Sequence, residues 1–173
     1  MSAGAGTPGS SLHAYDVGLL ILRIALGLIL AVHGTQKLFG WFGSGGGLDS
    51  TAQFFTMSGY PAARVMAVIA GLTETLGGLG LVLGLLTPLA GAAALGTMIN
   101  AVAVTSAGGF FAPNGVEYPL VLAAGAGALA LTGPGRLAVD RFLPVLRAHR
   151  LAYGVAALVI AAVMSALVLT ARH

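Results

Sequence analysis

Six polar side chains stand in or beside otherwise apolar stretches of this sequence: Arg23, His33, Lys37, Glu74, Asn100 and Glu117. Their types suit two tasks. An imidazole and a carboxylate, His33 and Glu74, are candidate catalytic groups that exchange a proton, while the cations and the amide donate hydrogen bonds to an oxygen-bearing ligand. Spacing then groups them. On an ideal helix at about 100° per residue, Arg23, Gly27, His33, Gly34 and Lys37 fall within roughly a 120° sector. Gly71, Glu74 and Gly78 share one face of a later apolar run, and Gly80 and Gly84 add a small-xxx-small pair that admits a neighbouring helix. Gly96 and Asn100 lie one turn apart with Ala103 beyond, so Asn100 is expected to face a partner helix. At about 1.5 Å per residue, Glu74 and Asn100 come to a similar depth, with His33 further outward. Lys37 and Glu117 approach from the outer boundary, and Arg23 is long enough to extend toward Glu74 from the inner side. Arg23 and Glu74 are the expected ion pair.

The elements that position these residues follow from the composition. The chain has 173 residues, 57% hydrophobic and 8% charged, with a mean hydropathy of +0.95. Thirteen charged residues cannot coat a soluble globule of this size, so the solvent for most of the chain is lipid. A bilayer span needs about 20 residues. Apolar runs occur at Val17 to Gly34, Ala62 to Leu86, Leu89 to Ala107, Val116 to Thr132 and Leu151 to Ala171. The expected fold is all-α, a polytopic transmembrane helix bundle. Residues 1–15 read as a disordered tail, without the charged start and apolar core of a cleavable signal. The Leu86-Thr87-Pro88 turn suits a helix start. Between the first two spans, Gly43-Ser44-Gly45-Gly46-Gly47 reads as a flexible hinge, and Ser50 with Gln53 as a capping box opening a short helix through Ser58. Phe39, Trp41, Phe42, Phe54, Phe55 and Tyr60 give this loop the aromatic content of a headgroup boundary.

Composition also excludes several functions. Without cysteine there is no disulfide, iron–sulfur cluster or thiol nucleophile, and any persulfide chemistry belongs to a partner. A single histidine inside a span, with few carboxylates, argues against haem and against a metal site. Net charge is +3, yet no dense Lys/Arg cluster exists to track nucleic acid. The basic excess is instead topological. Arg136, Arg141, Arg147 and Arg150 fall between the fourth and fifth spans, which places residues 133–150 and the N-terminus in the cytoplasm and the C-terminus outside. These arginines are candidate contacts for anionic lipids or soluble proteins. Plainer roles compete for the buried groups. The charges can simply neutralise one another and fix helix register, Lys37 can snorkel to the headgroups, and Asn100 can make an ordinary interhelical hydrogen bond.

The blocks R-I-A-L-G-L-I-L-A-V-H-G-T-Q-K-L-F-G-W-F-G at 23–43, T-E-T-L-G-G-L-G-L-V-L-G-L-L-T-P-L-A at 73–90, V-E-Y-P at 116–119 and G-P-G-R-L-A-V-D at 133–140, in that order, resemble the DoxX family of small bacterial membrane proteins. The resemblance implies a four-helix membrane domain over residues 16–140. Residues 141–173, a basic loop and an additional transmembrane helix, depart from that core. It further implies a plasma-membrane subunit tied to redox or sulfur metabolism, since some relatives belong to thiosulfate:quinone oxidoreductases and others accompany superoxide dismutase and sulfurtransferase partners. The residues matching the family's recurrent polar positions are Arg23, His33, Lys37, Glu74, Glu117 and Asp140. Asp140 can equally cap a helix or pair with Arg136 or Arg141.

Three functions remain as expectations. In the first, the bundle binds a quinone or a similar lipid-soluble redox molecule, with Arg23 and Glu74 setting the local charge. His33, Lys37 and Asn100 would donate to its oxygens, Glu117 would stand at the site's outer edge, and His33 or Glu74 would exchange protons. In the second, the polar seam conducts an ion or a proton. In the third, the chain is a scaffold whose arginine-rich loop recruits soluble enzymes. The glycine and alanine faces permit homo-oligomers.

Overall fold

The computed structural model describes residues 8–43, 46–111, 113–143 and 150–172, and every regular element among them is helical. Helix α1 (Pro8–Phe39) is followed by a 3-10 turn at 41–43 and the short α2 (Gly47–Met57). Next come α3 (Ala63–Leu83), α4 (Thr87–Thr105), α5 (Glu117–Thr132) and α6 (Leu151–Thr170). Helices α1, α3, α4 and α6 are long and apolar enough to cross a bilayer. At 16 residues, α5 is about 24 Å long, short of the roughly 30 Å hydrocarbon core. The polytopic bundle expected from the apolar runs is the fold that forms.

Its packing follows membrane logic. Lipid tails are as apolar as leucine, so helices associate where small residues let backbones approach. Ala67, Ala94, Ala126 and Ala130 are buried, while Ile69, Leu72, Leu76 and Leu79 of α3 point outward. Helix α4 lies at the centre, against α3, α5 and α6, and α1 runs along α3. Leu26, Leu30, Leu81, Met98, Leu122 and Leu129 fill the apolar core.

The α1–α3 seam is a glycine crossing. A Cβ on Gly78 would lie 2.5 Å from both the Gly27 carbonyl oxygen and the Ala31 nitrogen. Seven residues away along each helix, Gly34 meets Thr75 and Gly71 meets Leu38. Backbone stands on both sides, so the added methyl has no flexible neighbour to displace. Gly78→Ala is expected to destabilise by about 1–3 kcal/mol through overpacking, despite alanine's better helix propensity. Gly127→Ala on α5, where nothing lies within 4 Å, should be neutral or stabilising. Thermal melting of the two variants in detergent checks the contrast in sign.

Several local expectations need correction. Residues 8–15, read as tail, are helical and open α1. Gly80 packs on Ala90 of α4, but Gly84 does not complete a packing pair with it. Gly84 adopts φ +65° and ends α3, with the Leu85 N–H donating to the Gly80 carbonyl at 2.8 Å. A spacing of four cannot distinguish a helix face from a left-handed terminus. Helix α2 begins at Gly47 after Gly46, with no side-chain cap, so Ser50 is inside the helix and does not open it. Positive φ at both glycines turns the chain into the helix a turn early. Ser44 and Gly45 of the expected hinge lie outside the described residues.

The chain's polar ties sort to the two ends of the bundle. At one end Thr51 Oγ1 donates to the Lys37 carbonyl at 3.1 Å and Arg172 Nε to the Ser58 carbonyl at 2.9 Å. Exposed Phe39, Trp41, Phe42, Phe110 and Phe111 ring this end, as at a headgroup boundary. At the other end Arg136 Nε pairs with Asp16 at 2.7 Å, tying the 133–143 segment to the first turns of α1.

Candidate functional site

The antiparallel register set by Gly27–Gly78 and Gly34–Thr75 decides which polar residues meet. It puts Glu74 opposite the His33–Lys37 turn of α1 and Gly84 opposite Arg23. Lys37 Nζ lies 2.5 Å from Glu74 Oε2, with the Glu74 side chain 2% exposed and that of Lys37 27%. The expected Arg23–Glu74 pair does not form. Arg23 stands ten residues before His33, about 15 Å along the helix, and no side chain bridges that distance. Lys37 likewise does not snorkel outward but folds back to the carboxylate, because leaving Glu74 alone in this setting costs more than drawing in a flexible ammonium.

Around this pair the helices leave a cavity of about 710 Å³. His33, Lys37, Tyr60, Glu74, Asn100, Tyr118 and Ser165 supply its polar wall. His33 Nε2 and the Tyr118 hydroxyl are 3.0 Å apart. Asn100 lines the cavity on the face of α4 where Gly96 meets α6. Its Oδ1 accepts from the Tyr60 hydroxyl at 3.1 Å, and its Nδ2 donates to the Gly96 carbonyl one turn back at 3.0 Å. Ser165 Oγ of α6 donates to that same carbonyl at 3.0 Å. Tyr60 precedes α3, where burial pushes its hydroxyl pKa up while the Arg172 cation, 5.0 Å from the ring, acts the other way. Its hydroxyl therefore remains a donor at neutral pH.

The other sequence candidates lie elsewhere. Glu117 is in the first turn of α5 with its backbone N–H on the Phe110 carbonyl at 2.9 Å, and it is not part of the cavity wall. Arg23 is fully buried at the opposite end, where its Nη2 donates to the Leu137 carbonyl at 2.5 Å. Asp140 is also buried there and acts as a cap. Its two oxygens accept the Leu86 and Thr87 N–H groups at 2.6 and 2.9 Å, and its own N–H donates to the Gly84 carbonyl. Arg136 is held by Asp16, Arg141 and Arg150 are exposed, and Arg147 lies outside the described residues. Among the described residues no three metal-ligating side chains gather.

Three participants escaped the sequence reading: Tyr60, Tyr118 and Ser165. Tyr118 sits inside the V-E-Y-P block, whose glutamate drew attention first. Tyr60 read as one more boundary aromatic. Ser165 is the only hydroxyl between Tyr153 and Thr170 in an otherwise apolar helix, which is the signal that could have marked it.

Among known proteins, the DoxX family profile matches residues 18–107, just over half of the chain. A Bacillus subtilis (strain 168) protein named "Putative oxidoreductase CatD" is 32% identical over 130 residues, covering 75% of this chain and 90% of that protein. An Escherichia coli (strain K12) protein named "Inner membrane protein YphA" is 33% identical over 145 residues, covering 76% of this chain and 99% of that protein. No solved structure matches significantly. The matched segment holds the Lys37–Glu74 pair, His33 and Asn100, and on this footing the chain belongs to the DoxX family of membrane proteins.

Proposed function

We propose that the chain is a membrane subunit of an oxidoreductase and binds a quinone, or a similar small lipid-soluble redox molecule, in the cavity beside Lys37 and Glu74. The observation that carries this reading is a charged pair, with His33, Tyr60, Asn100, Tyr118 and Ser165 around it, set in a largely apolar space of about 710 Å³, within the range of small-molecule sites. The name of the Bacillus subtilis relative supports the redox class. A quinone, when bound, supplies two-electron, two-proton chemistry.

The chain's own part is binding and proton handling. Lys37 and the Tyr118 hydroxyl donate to ligand oxygens, in an environment where donors stabilise charge that develops on reduction. His33, in contact with Tyr118, exchanges a proton with that hydroxyl, and Glu74 holds the ammonium in place. Electrons come from a partner, a soluble redox or sulfur-transfer enzyme, with exposed Arg141 and Arg150 as its docking charges. This places residues 133–150 in the bacterial cytoplasm and the C-terminus outside. Permeation fits less well. Leu26 and Leu30 on α1 and Leu81 on α3 form an apolar layer between the Lys37–Glu74 pair and the Arg23 end, so the polar groups do not continue across the bundle.

Titrating purified full-length protein in nanodiscs with a short-chain benzoquinone tests the reading. Tyr118→Phe is expected to weaken binding about three- to tenfold, one hydrogen bond's net worth. Arg150→Ala should leave it unchanged. No saturable binding, or equal affinity in wild type and Tyr118→Phe, would overturn the assignment.

A further inference from the structure

The volume and direction of the cavity say more about its ligand. A cavity of about 150 Å³ suffices for benzene, whereas this one measures about 710 Å³, several times the space one ring needs. Its polar groups are gathered around the Asn100 level, yet its floor continues along α4 as far as Leu89. Eleven residues separate these positions, about 16 Å along the helix. Small residues line that floor, Ala93 and Gly96 among them, and leave room above α4. Helices α3 and α6 pack on either side of α4 and scarcely touch each other. The walls they contribute include Ile69, Ile160 and Met164, which together with Leu89 are between 51% and 61% exposed. Side chains that both line the cavity and face outward from a membrane bundle mark an opening to the hydrocarbon.

Building on the ligand class proposed above, we infer that the site takes an amphiphile with a long apolar tail. The head group sits at Lys37 and Tyr118, the tail lies in the α3–α6 groove over the small residues of α4, and the molecule arrives sideways from the lipid through that groove. The continuity of the groove with the polar end argues for the tail as occupant, since one molecule fills both. It also gives α6, which lies beyond the family match at 18–107, a direct part in choosing the ligand.

Two benzoquinones with the same ring substituents, one bearing a decyl chain and one none, test this in nanodiscs. Variants share the same lipid partitioning, so the ratio of the two affinities, compared between variants, reads the groove alone. Ile160→Trp fills the groove, and Val159→Trp places the same bulk at an exposed neighbour that does not line it. The expected result is a loss of about tenfold for the decyl compound in Ile160→Trp, the effect of about two methylene groups leaving an apolar site. The tail-less compound and Val159→Trp should match wild type. An unchanged affinity ratio in Ile160→Trp, with the tail-less compound still bound, overturns the groove assignment alone. A change in the number of chains per nanodisc in that variant overturns it in favour of a second copy in the groove. Failure of the tail-less compound to bind wild type removes the head site, and the groove assignment falls with it.

Discussion

Lys37→Met is expected to destabilise the protein by about 3–5 kcal/mol, the penalty for breaking a buried ion pair from one side. Glu74 is the partner left behind. It is 2% exposed, and Lys37 is the only cation within hydrogen-bonding reach of it among the described residues. Glu74→Gln should cost less, because a neutral amide needs no counter-charge and the partly exposed ammonium retains access outward. The double variant Lys37→Met/Glu74→Gln should recover most of the loss, since replacing both members of a buried pair is often close to neutral. A double-mutant cycle of unfolding in mixed detergent measures this coupling. Additive single-site effects would show that the pair contributes nothing beyond its separate side chains.

The second large effect belongs to the opposite end. Asp140→Ala is expected to destabilise by about 3–5 kcal/mol, because it removes two supports together. One is the cap on α4, where the carboxylate holds the N–H groups of Leu86 and Thr87. Leu86 has φ +51°, a conformation that a leucine adopts only when its surroundings hold it there. The other is the countercharge for fully buried Arg23, whose Nε and Nη1 have no hydrogen-bond partner among the described residues. Asp140→Asn separates the two in part, keeping one of the cap's two acceptor oxygens while deleting the charge. Adding Arg23→Met to Asp140→Asn should then restore more of the stability than adding it to Asp140→Ala. Thermal midpoints in one detergent decide the order. Equal effects of Asn and Ala would assign the whole loss to the missing countercharge and none to the cap.

These two ends explain what the sequence could and could not disclose. The bundle was legible because apolar runs of membrane length are set by composition, and the Thr87-Pro88 start of α4 by proline chemistry. Arg23, His33, Lys37 and Glu74 stood out because polar side chains are scarce in a lipid-facing chain, and Asp140 only through the family resemblance. Their pairing was not legible. Helix-wheel angles place Arg23 and Lys37 on one face, but only the Gly27–Gly78 crossing fixes how far one helix has slid along the other. That register gives Lys37, not Arg23, to Glu74. The contacts of Tyr60 and Tyr118 depend on loops and on the tilt of α5, which no single-helix periodicity encodes. Asp16 and Arg136 meet across 120 residues of sequence and are paired only by the return of the chain after α5.

The central claim is that the cavity beside Lys37 and Glu74 holds a quinone. Extracting the full-length protein with its native lipid disc and measuring quinone per chain by chromatography tests it most directly. The comparison is Lys37→Met/Glu74→Gln, the variant expected to stay folded while losing the head-group donor. Wild type should carry about one quinone per chain above the level in protein-free discs, and the double variant should fall to that level. Equal quinone content in wild type, double variant and protein-free discs would contradict the claim.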